Sequence, residues 1–246
     1  MLAICFQPAR ANDVRDSEDA LRSLFNISTR IQQNDCAGAI AILNDGLAQR
    51  DPALLELAGA MTEDGICIKA SWARAERYYV QAANKGRDGA VRRLISHHAR
   101  QEPIASQAVA LWWARDLKGE SSGRDDSCRI ASDPEKGVDG FVETIAVVPP
   151  EWVRACAYVV GVTSEAGILA RMIYAMPRTT DEYTIRVRFY PSAGRIEVLA
   201  NDGATPVRNS IREAVTKEWE RAMARFNKPQ GIDPKWVVEV EYVYRF

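Results

Sequence analysis

Histidine is nearly missing from this chain. There are two in 246 residues, and they are neighbours, His97 and His98. Adjacent helical residues point about 100° apart, so the pair makes a poor joint metal site. One partly buried and one exposed ring is the reading that ordinary burial statistics favour. None of the five cysteines sits in a C-x-x-C pair, the close spacing that zinc sites need. No metal and no cofactor are therefore expected. The sequence also lacks H-E-x-x-H, G-x-S-x-G, the P-loop and G-x-G-x-x-G, so the common hydrolytic and nucleotide-binding sites have no anchor here. Acids cluster at Asp125-Asp126 and Asp181-Glu182, in loop-like sequence where solvated charge is the default, and nothing marks either as a glycosidase-type pair. The net charge is −1. Without a basic excess, nucleic acid is not an expected partner, and without an acidic run there is no disordered tail to expect. After residue 12 no stretch reaches the ~18 uninterrupted apolar residues of a spanning helix.

What is present begins with an apolar start, Leu2-Ala3-Ile4-Cys5-Phe6, followed by the small-x-small triplet Ala9-Arg10-Ala11. Residues 1–11 read as the remnant of a signal peptide cleaved before Asn12; a short frayed terminus is the alternative. Removing them leaves Cys36, Cys67, Cys128 and Cys156. An even set in an exported chain favours two disulfides over four buried thiols. Three connectivities are open; Cys36–Cys67 and Cys128–Cys156 keep each bridge within one region. The localisation this implies is periplasmic.

The first half reads as paired helices. Leu21, Leu24, Phe25, Ile27 and Ile31 recur at spacings of three and four over residues 17–33, one apolar helical face. Ser17 stands at the N-cap before the acids Glu18 and Asp19. A second helix is expected over 35–49, with Ile40, Ile42, Leu43 and Leu47, and Asp51-Pro52 opens a third. From Ala58 to Ala90 small residues recur where two helices of a hairpin would touch, and Gly65 and Gly86 stand where the chain must turn.

That stretch resembles the Sel-one-like repeat, a helix–turn–helix relative of the tetratricopeptide repeat. Gly59, Gly65, Ala75, Tyr79, Ala82, Ala83, Gly86 and Ala90 fall on the repeat's pattern, with Ile68 and Arg74 as conservative matches. Thr62, Ser71 and Tyr78 replace its tyrosine, aspartate and tryptophan, and Cys67 replaces its second loop glycine. A degenerate second unit starts at Ala90 and Leu94, breaks at Gln101-Glu102-Pro103, and resumes with Ala108, Trp112, Trp113 and Gly119. The resemblance covers roughly residues 35–120 and implies a protein-binding scaffold whose repeats bury one another's faces, with the helices at 17–49 as the N-terminal cap.

Gly, Ser, Asp and Pro dominate between Gly119 and Gly140, the expected linker at 121–140. From Thr184 the period changes to two. Ile185, Val187 and Phe189 alternate with Thr184, Arg186 and Arg188; Pro191-Ser192-Ala193-Gly194 turns the chain, and Arg195 to Leu199 returns it. Ile211, Ala214, Val215, Trp219, Ala222 and Phe226 mark an amphipathic helix, stopped by Lys228-Pro229-Gln230-Gly231. A last strand sets Trp236, Val238, Val240, Tyr242, Tyr244 and Phe246 on one face. Its ending Tyr242-x-Tyr244-x-Phe246 also resembles the closing strand of outer-membrane barrels, but too few strands and a preceding helix exclude a barrel. Val160-Gly161-Val162-Thr163-Ser164-Glu165-Ala166-Gly167 echoes Val187 to Gly194. The echo places a further hairpin there, with a helix over 151–173 as the competing reading.

Hairpin, helix and final strand resemble the C-terminal domain of TonB, the periplasmic energy transducer. Ala214-Val215 with Trp219 resembles that domain's helix, with one residue inserted before the tryptophan; Lys228-Pro229 resembles its stop, and Ser192-Ala193-Gly194 replaces its turn. The resemblance covers about residues 183–246. It implies a binding fold, since the membrane helix and proline-rich span that energy transduction needs are not in this sequence.

The expected fold class is α+β: an N-terminal α-solenoid of helix–turn–helix repeats over 12–120, then, over 141–246, a small antiparallel sheet with one packed helix. The expected function is a periplasmic protein–protein interaction scaffold without catalysis. The alternatives are a TonB-like accessory to outer-membrane transport, and a cysteine-rich Sel-one-like hydrolase acting on β-lactams or cell wall. A protein of the cell envelope or outer membrane is the expected partner. Trp112, Trp113 and Tyr78 are candidate contacts because aromatics enrich at interfaces, and Arg186 and Arg188 because they form a stripe with Arg195. Non-reducing mass spectrometry of the exported protein should find no alkylatable thiol and a start at Asn12. Free thiols at all four positions, or a retained Met1, would undo the reading of export.

Overall fold

The computed structural model describes residues 18–115, 117, 128, 137–173, 182–199 and 209–245, without the side chains of 170–173, 182–184, 209–211 and 242–245. The leader expected at 1–11, the cap expected at Ser17, Gly119, most of the expected linker with Asp125-Asp126, Asp181 and Phe246 lie outside them. The class is α+β: eight helices, then a hairpin, a helix and a final strand. The chain divides into two compact units that meet between Val91 and Arg92.

The N-terminal unit is built of helix pairs: α1 (Glu18–Gln32), α2 (Cys36–Ala48), α3 (Pro52–Asp64), α4 (Trp72–Ala83), and the start of α5 (Asp88–Ala99). Asp51 caps α3 with one carboxylate oxygen, 2.9 Å from the Ala53 N–H and 3.1 Å from that of Leu54, and Pro52 fills the first turn. Gly65 ends α3 at φ 72°, the left-handed conformation that costs glycine nothing. α3 and α4 approach closely because Gly59 has no side chain: a Cβ there would stand 2.5 Å from the Tyr79 ring. Tyr79 is fully buried, and its hydroxyl donates to Glu63 Oε2 at 2.7 Å. Ile27, Leu43, Leu54 and Met61 fill the core between α1, α2 and α3. The apolar face expected on α1 is split. Ile27 is buried and Leu24 and Ile31 pack beside the core, but Leu21 and Phe25 are 53% and 71% exposed. Cys36 is bonded to Cys67, tying the start of α2 to the loop after α3. Cys67 itself holds φ 58°, a value that favours glycine.

The C-terminal unit takes the rest of α5, then α6 (Ile104–Ala114), α7 (Gly137–Ile145), α8 (Pro150–Ile173), α9 (Asn209–Met223) and the strands β1 (Glu182–Tyr190), β2 (Arg195–Leu199) and β3 (Val238–Arg245). The sheet order is β2-β1-β3, antiparallel throughout. Val187 pairs with Val198 on one side and Val240 on the other; Phe189 pairs with Ile196 and Val238. The inner face closes on α9 and α8: Phe189 lies 5.3 Å from Trp219 and 6.1 Å from Tyr158, ring to ring.

The hairpin expected at 160–167 does not exist; that stretch is the middle of α8, the competing reading. Its glycines serve close packing rather than turning. A Cβ on Gly161 would meet the Phe226 ring at 2.4 Å and Ala99 at 2.7 Å, and one on Gly167 would meet the Arg92 guanidinium at 2.6 Å. The Thr163 hydroxyl is absorbed by the Val159 carbonyl at 3.0 Å. A helix with Val153, Ala157, Val162 and Ala166 all buried, and packed against both α6 and α9, shows no clean amphipathic period. It is also not apolar enough to span a bilayer; none of the described helices is.

Two carboxylates lie inside this unit, Glu165 and Glu218. Glu165 on α8 is 2% exposed; it accepts from the Ser96 hydroxyl of α5 and from the Arg225 guanidinium just after α9. Arg225→Ala should cost about 3 kcal/mol, the low end for stripping one partner from a buried charge, because the arginine itself is half exposed. Arg225→Ala combined with Glu165→Leu should recover part of that loss, since the charge that Arg225 neutralised is then gone with it. Urea unfolding of the variants checks both; a double variant no better than Arg225→Ala would mean that Glu165 is not the charge at stake.

Candidate functional site

The loop 227–236, between α9 and β3, lines three adjoining hollows in the C-terminal unit. The largest, about 570 Å³, opens between this loop and the first turns of α8. Its walls are Trp152, Ala155 and Cys156 on α8 and Ile232 and Trp236 on the loop, with Glu151, Asp233 and Lys235 among its lining charges.

Local sequence explains each wall. Pro149 and Pro150 start α8: the Pro149 carbonyl accepts from the Trp152 N–H at 3.0 Å and the Val153 N–H at 3.2 Å, and Pro150 needs no donor in the first turn. This turn aims Trp152 at the cleft while Val153 goes into the core. On the other wall, the Asp233 carboxylate takes the Lys235 N–H at 2.8 Å and its carbonyl takes the Trp236 N–H at 3.0 Å. That turn presents the Trp236 indole. Its Nε1 is buried and has no acceptor among the described residues, so the wall is an aromatic surface whose one donor is left unpaired. Cys156, one of its walls, is bonded to Cys128. An apolar body carrying a hydrogen-bond acceptor is what such walls receive best.

A second hollow, about 330 Å³, lies where the ends of α5 and α9 meet α8, and Arg100, Arg154, Lys228 and Gln107 line it. Tyr158 and Phe226 form its apolar side, and burial pushes the Tyr158 hydroxyl up from its ordinary pKa.

The residues singled out from sequence fall elsewhere. Trp112 is half buried, packs against Phe141 at 5.6 Å, and carries the Arg115 guanidinium 3.6 Å over its ring. Trp113 is half buried on the same helix. Tyr78 is half buried and packs against the N-terminal core. Arg188 reaches Glu239 at 2.7 Å and Glu197 at 3.5 Å, and Arg186 reaches Glu241 at 3.4 Å. The Glu239 carboxylate pushes the Arg188 guanidinium up. Arg195 lies over the Tyr190 ring at 3.7 Å. The arginine stripe is thus a ladder of matched charges on the outer sheet face. Cys36, Cys67, Cys128 and Cys156 form the two bridges expected within their regions. His97 stands edge-on to His98, and burial holds it down at about 4. Among the described residues no cluster of His, Cys, Asp and Glu could hold a metal ion.

Sequence reasoning missed Trp152, Gln107, Arg154 and Lys228 as site residues, and took Trp236 only as a strand position. One signal was there to read: Pro149-Pro150-Glu151-Trp152 is a helix start. Set against protein-family models, curated proteins and solved structures, the chain matches none.

The Cys128–Cys156 bridge closes a separation of 28 residues. Replacing both cysteines by alanine should cost about 3–4 kcal/mol in the chain-entropy model and loosen the cleft. Urea unfolding followed by tryptophan emission checks the first; an unchanged midpoint would show that the bridge constrains nothing.

Proposed function

We propose that this protein is a periplasmic protein–protein interaction scaffold without catalytic activity, holding a partner segment in the cleft of the C-terminal unit. The observation that carries the reading is the cleft between Trp152 and Trp236, whose Trp236 indole N–H has no acceptor among the described residues. Paired tryptophans supply large apolar area at low conformational cost, and such anchors dominate protein interfaces. Cys128–Cys156 and Cys36–Cys67 suit an oxidising compartment.

The N-terminal unit supports the same reading through the Sel-one-like pattern. Gly59 and Tyr79, two of its matches, make the close contact of α3 with α4. Cys67 stands where that pattern has glycine and keeps a glycine-like φ of 58°. Leu21 and Phe25, exposed one turn apart on α1, offer the scaffold a second apolar contact.

A second reading, a TonB-like accessory that meets outer-membrane receptors, is favoured by the strand order β2-β1-β3. It leaves one side of β3 without a neighbouring strand among the described residues, so an extended segment could add there, next to the Trp236 cleft.

The test is affinity capture from a periplasmic extract with the wild-type chain and with Trp152→Ala, each checked for an unaltered melting curve. The scaffold reading expects a partner whose recovery falls at least tenfold with Trp152→Ala. A gated outer-membrane receptor as that partner would move the assignment to the second reading. Recovery unaffected by the substitution, no partner at all, or turnover of a chromogenic β-lactam or of peptidoglycan, would overturn the proposal.

A further inference from the structure

The smaller hollow has a chemistry of its own. Three cations line it, Arg100, Arg154 and Lys228, against one carboxylate, Glu102. Arg100 gives its Nε to the Ser96 carbonyl at 3.1 Å and lies 6.0 Å from the centre of the Phe226 ring; Lys228 donates to the Ser192 carbonyl. Among the described residues none of the three is ion-paired with a carboxylate. Uncompensated charge of one sign around a concave space draws a counter-charge.

Gln107 adds a second, independent demand. It is 9% exposed, and its Nε2 donates to the Gln101 carbonyl at 2.9 Å. A carbonyl only accepts, so this bond fixes the amide orientation and makes the other atom the acceptor Oε1. Oε1 is buried and receives no hydrogen bond among the described residues, and the side chain that carries it lines the same hollow. Buried acceptors are rarely left so. The hollow therefore asks for an anion and for an N–H donor together. At about 330 Å³ it is at the small end of ligand pockets.

We infer that this hollow receives the C-terminal residue of a partner polypeptide, its carboxylate toward Arg100, Arg154 and Lys228 and its amide N–H toward Gln107 Oε1. A chain terminus is where a carboxylate and an amide N–H are held one carbon apart. Tyr158 and Phe226 supply an apolar wall for the terminal side chain. A sulfate would answer the cations but leave Oε1 unmet. The inference deepens the reading of the protein as a partner-holding scaffold and rests on it.

Calorimetric titration of the full chain with N-acetyl-Ala-Ala, with its C-terminal amide and with sodium acetate is the test. The free-acid dipeptide should bind saturably, the amide at least tenfold more weakly, and acetate at least tenfold more weakly than the dipeptide. Arg154→Gln, an exposed side chain whose loss leaves the core intact, should weaken dipeptide binding at least fivefold with an unchanged melting curve. Gln107→Met, which keeps the bulk and removes the acceptor, should narrow the gap between dipeptide and acetate. Equal binding of acid and amide, or no dipeptide binding, overturns the inference. Acetate as strong as the dipeptide also overturns it, leaving an anion site alone. Because these probes need no partner, their failure beside a Trp152-dependent capture sinks this inference only, while loss of that capture sinks the scaffold reading.

Discussion

The C-terminal unit is organised around a charge that has been taken out of water. A carboxylate 2% exposed is tenable only with its oxygens satisfied, and Glu165 draws its two donors from different elements, Ser96 on α5 and Arg225 beyond α9. Those contacts fix α5 and the end of α9 against α8. Phe226, the residue after Arg225, is then brought onto Gly161, where no side chain stands in its way. Lys228 and the loop that lines all three hollows follow immediately. The loop is positioned because the helix before it is pinned, and Ser96 ties the buried charge to the site directly, since its carbonyl accepts from Arg100 Nε at 3.1 Å.

Sheet and helices divide the remaining labour. β1 is flanked on both sides and presents Val187 and Phe189, fully buried, to α9 and α8. Arg186 and Arg188, which alternate with those positions, go to the opposite face and meet Glu241 and Glu239 across the strand pair. Such exposed pairs set register more than stability. Register matters here because β3 begins two residues after Trp236: a slip of one residue would turn its inward valines outward and take the Asp233–Trp236 turn out of line with α8.

Much of this was legible from residue spacing. The hairpin over Thr184–Leu199 and the helix carrying Val215 and Trp219 each bury one face and expose the other, and period is read from that contrast; the Asp51-Pro52 start and the turn at Gly65 are read from capping and turn chemistry. Glycine with β-branched neighbours was misread over Val160–Gly167, because a helix buried by partners on two sides loses that contrast, and its glycines then look like turns. The site was hidden for a related reason. Trp152 and Trp236 stand 84 positions apart, and Gln107 meets the cations only through tertiary packing. No periodicity marks residues whose shared property is the space between them. Trp112, Arg186 and Arg188 looked available in sequence because their partners Phe141, Glu241 and Glu239 become neighbours only in the fold.

The position of Cys156 connects covalent chemistry to recognition. Its bond to Cys128 supports the core made by Leu111, Phe141, Ile145 and Val153, and its own residue walls the tryptophan cleft. A cleft between a helix start and a loop is otherwise free to close on its own apolar walls, which would bury Trp152 and Trp236 against each other. Holding α8 by a bond on its inner side, while the Asp233 turn holds the loop, keeps the two indoles apart at little entropic cost on binding. Arg154 is on the intervening residue pattern of the same helical turn and lines the second hollow instead. One rigid stretch, Glu151 to Tyr158, thus serves an apolar pocket on one flank and a cationic one on the other. A ligand long enough to lie along the loop 227–236 would meet both, and would be oriented by the difference between them.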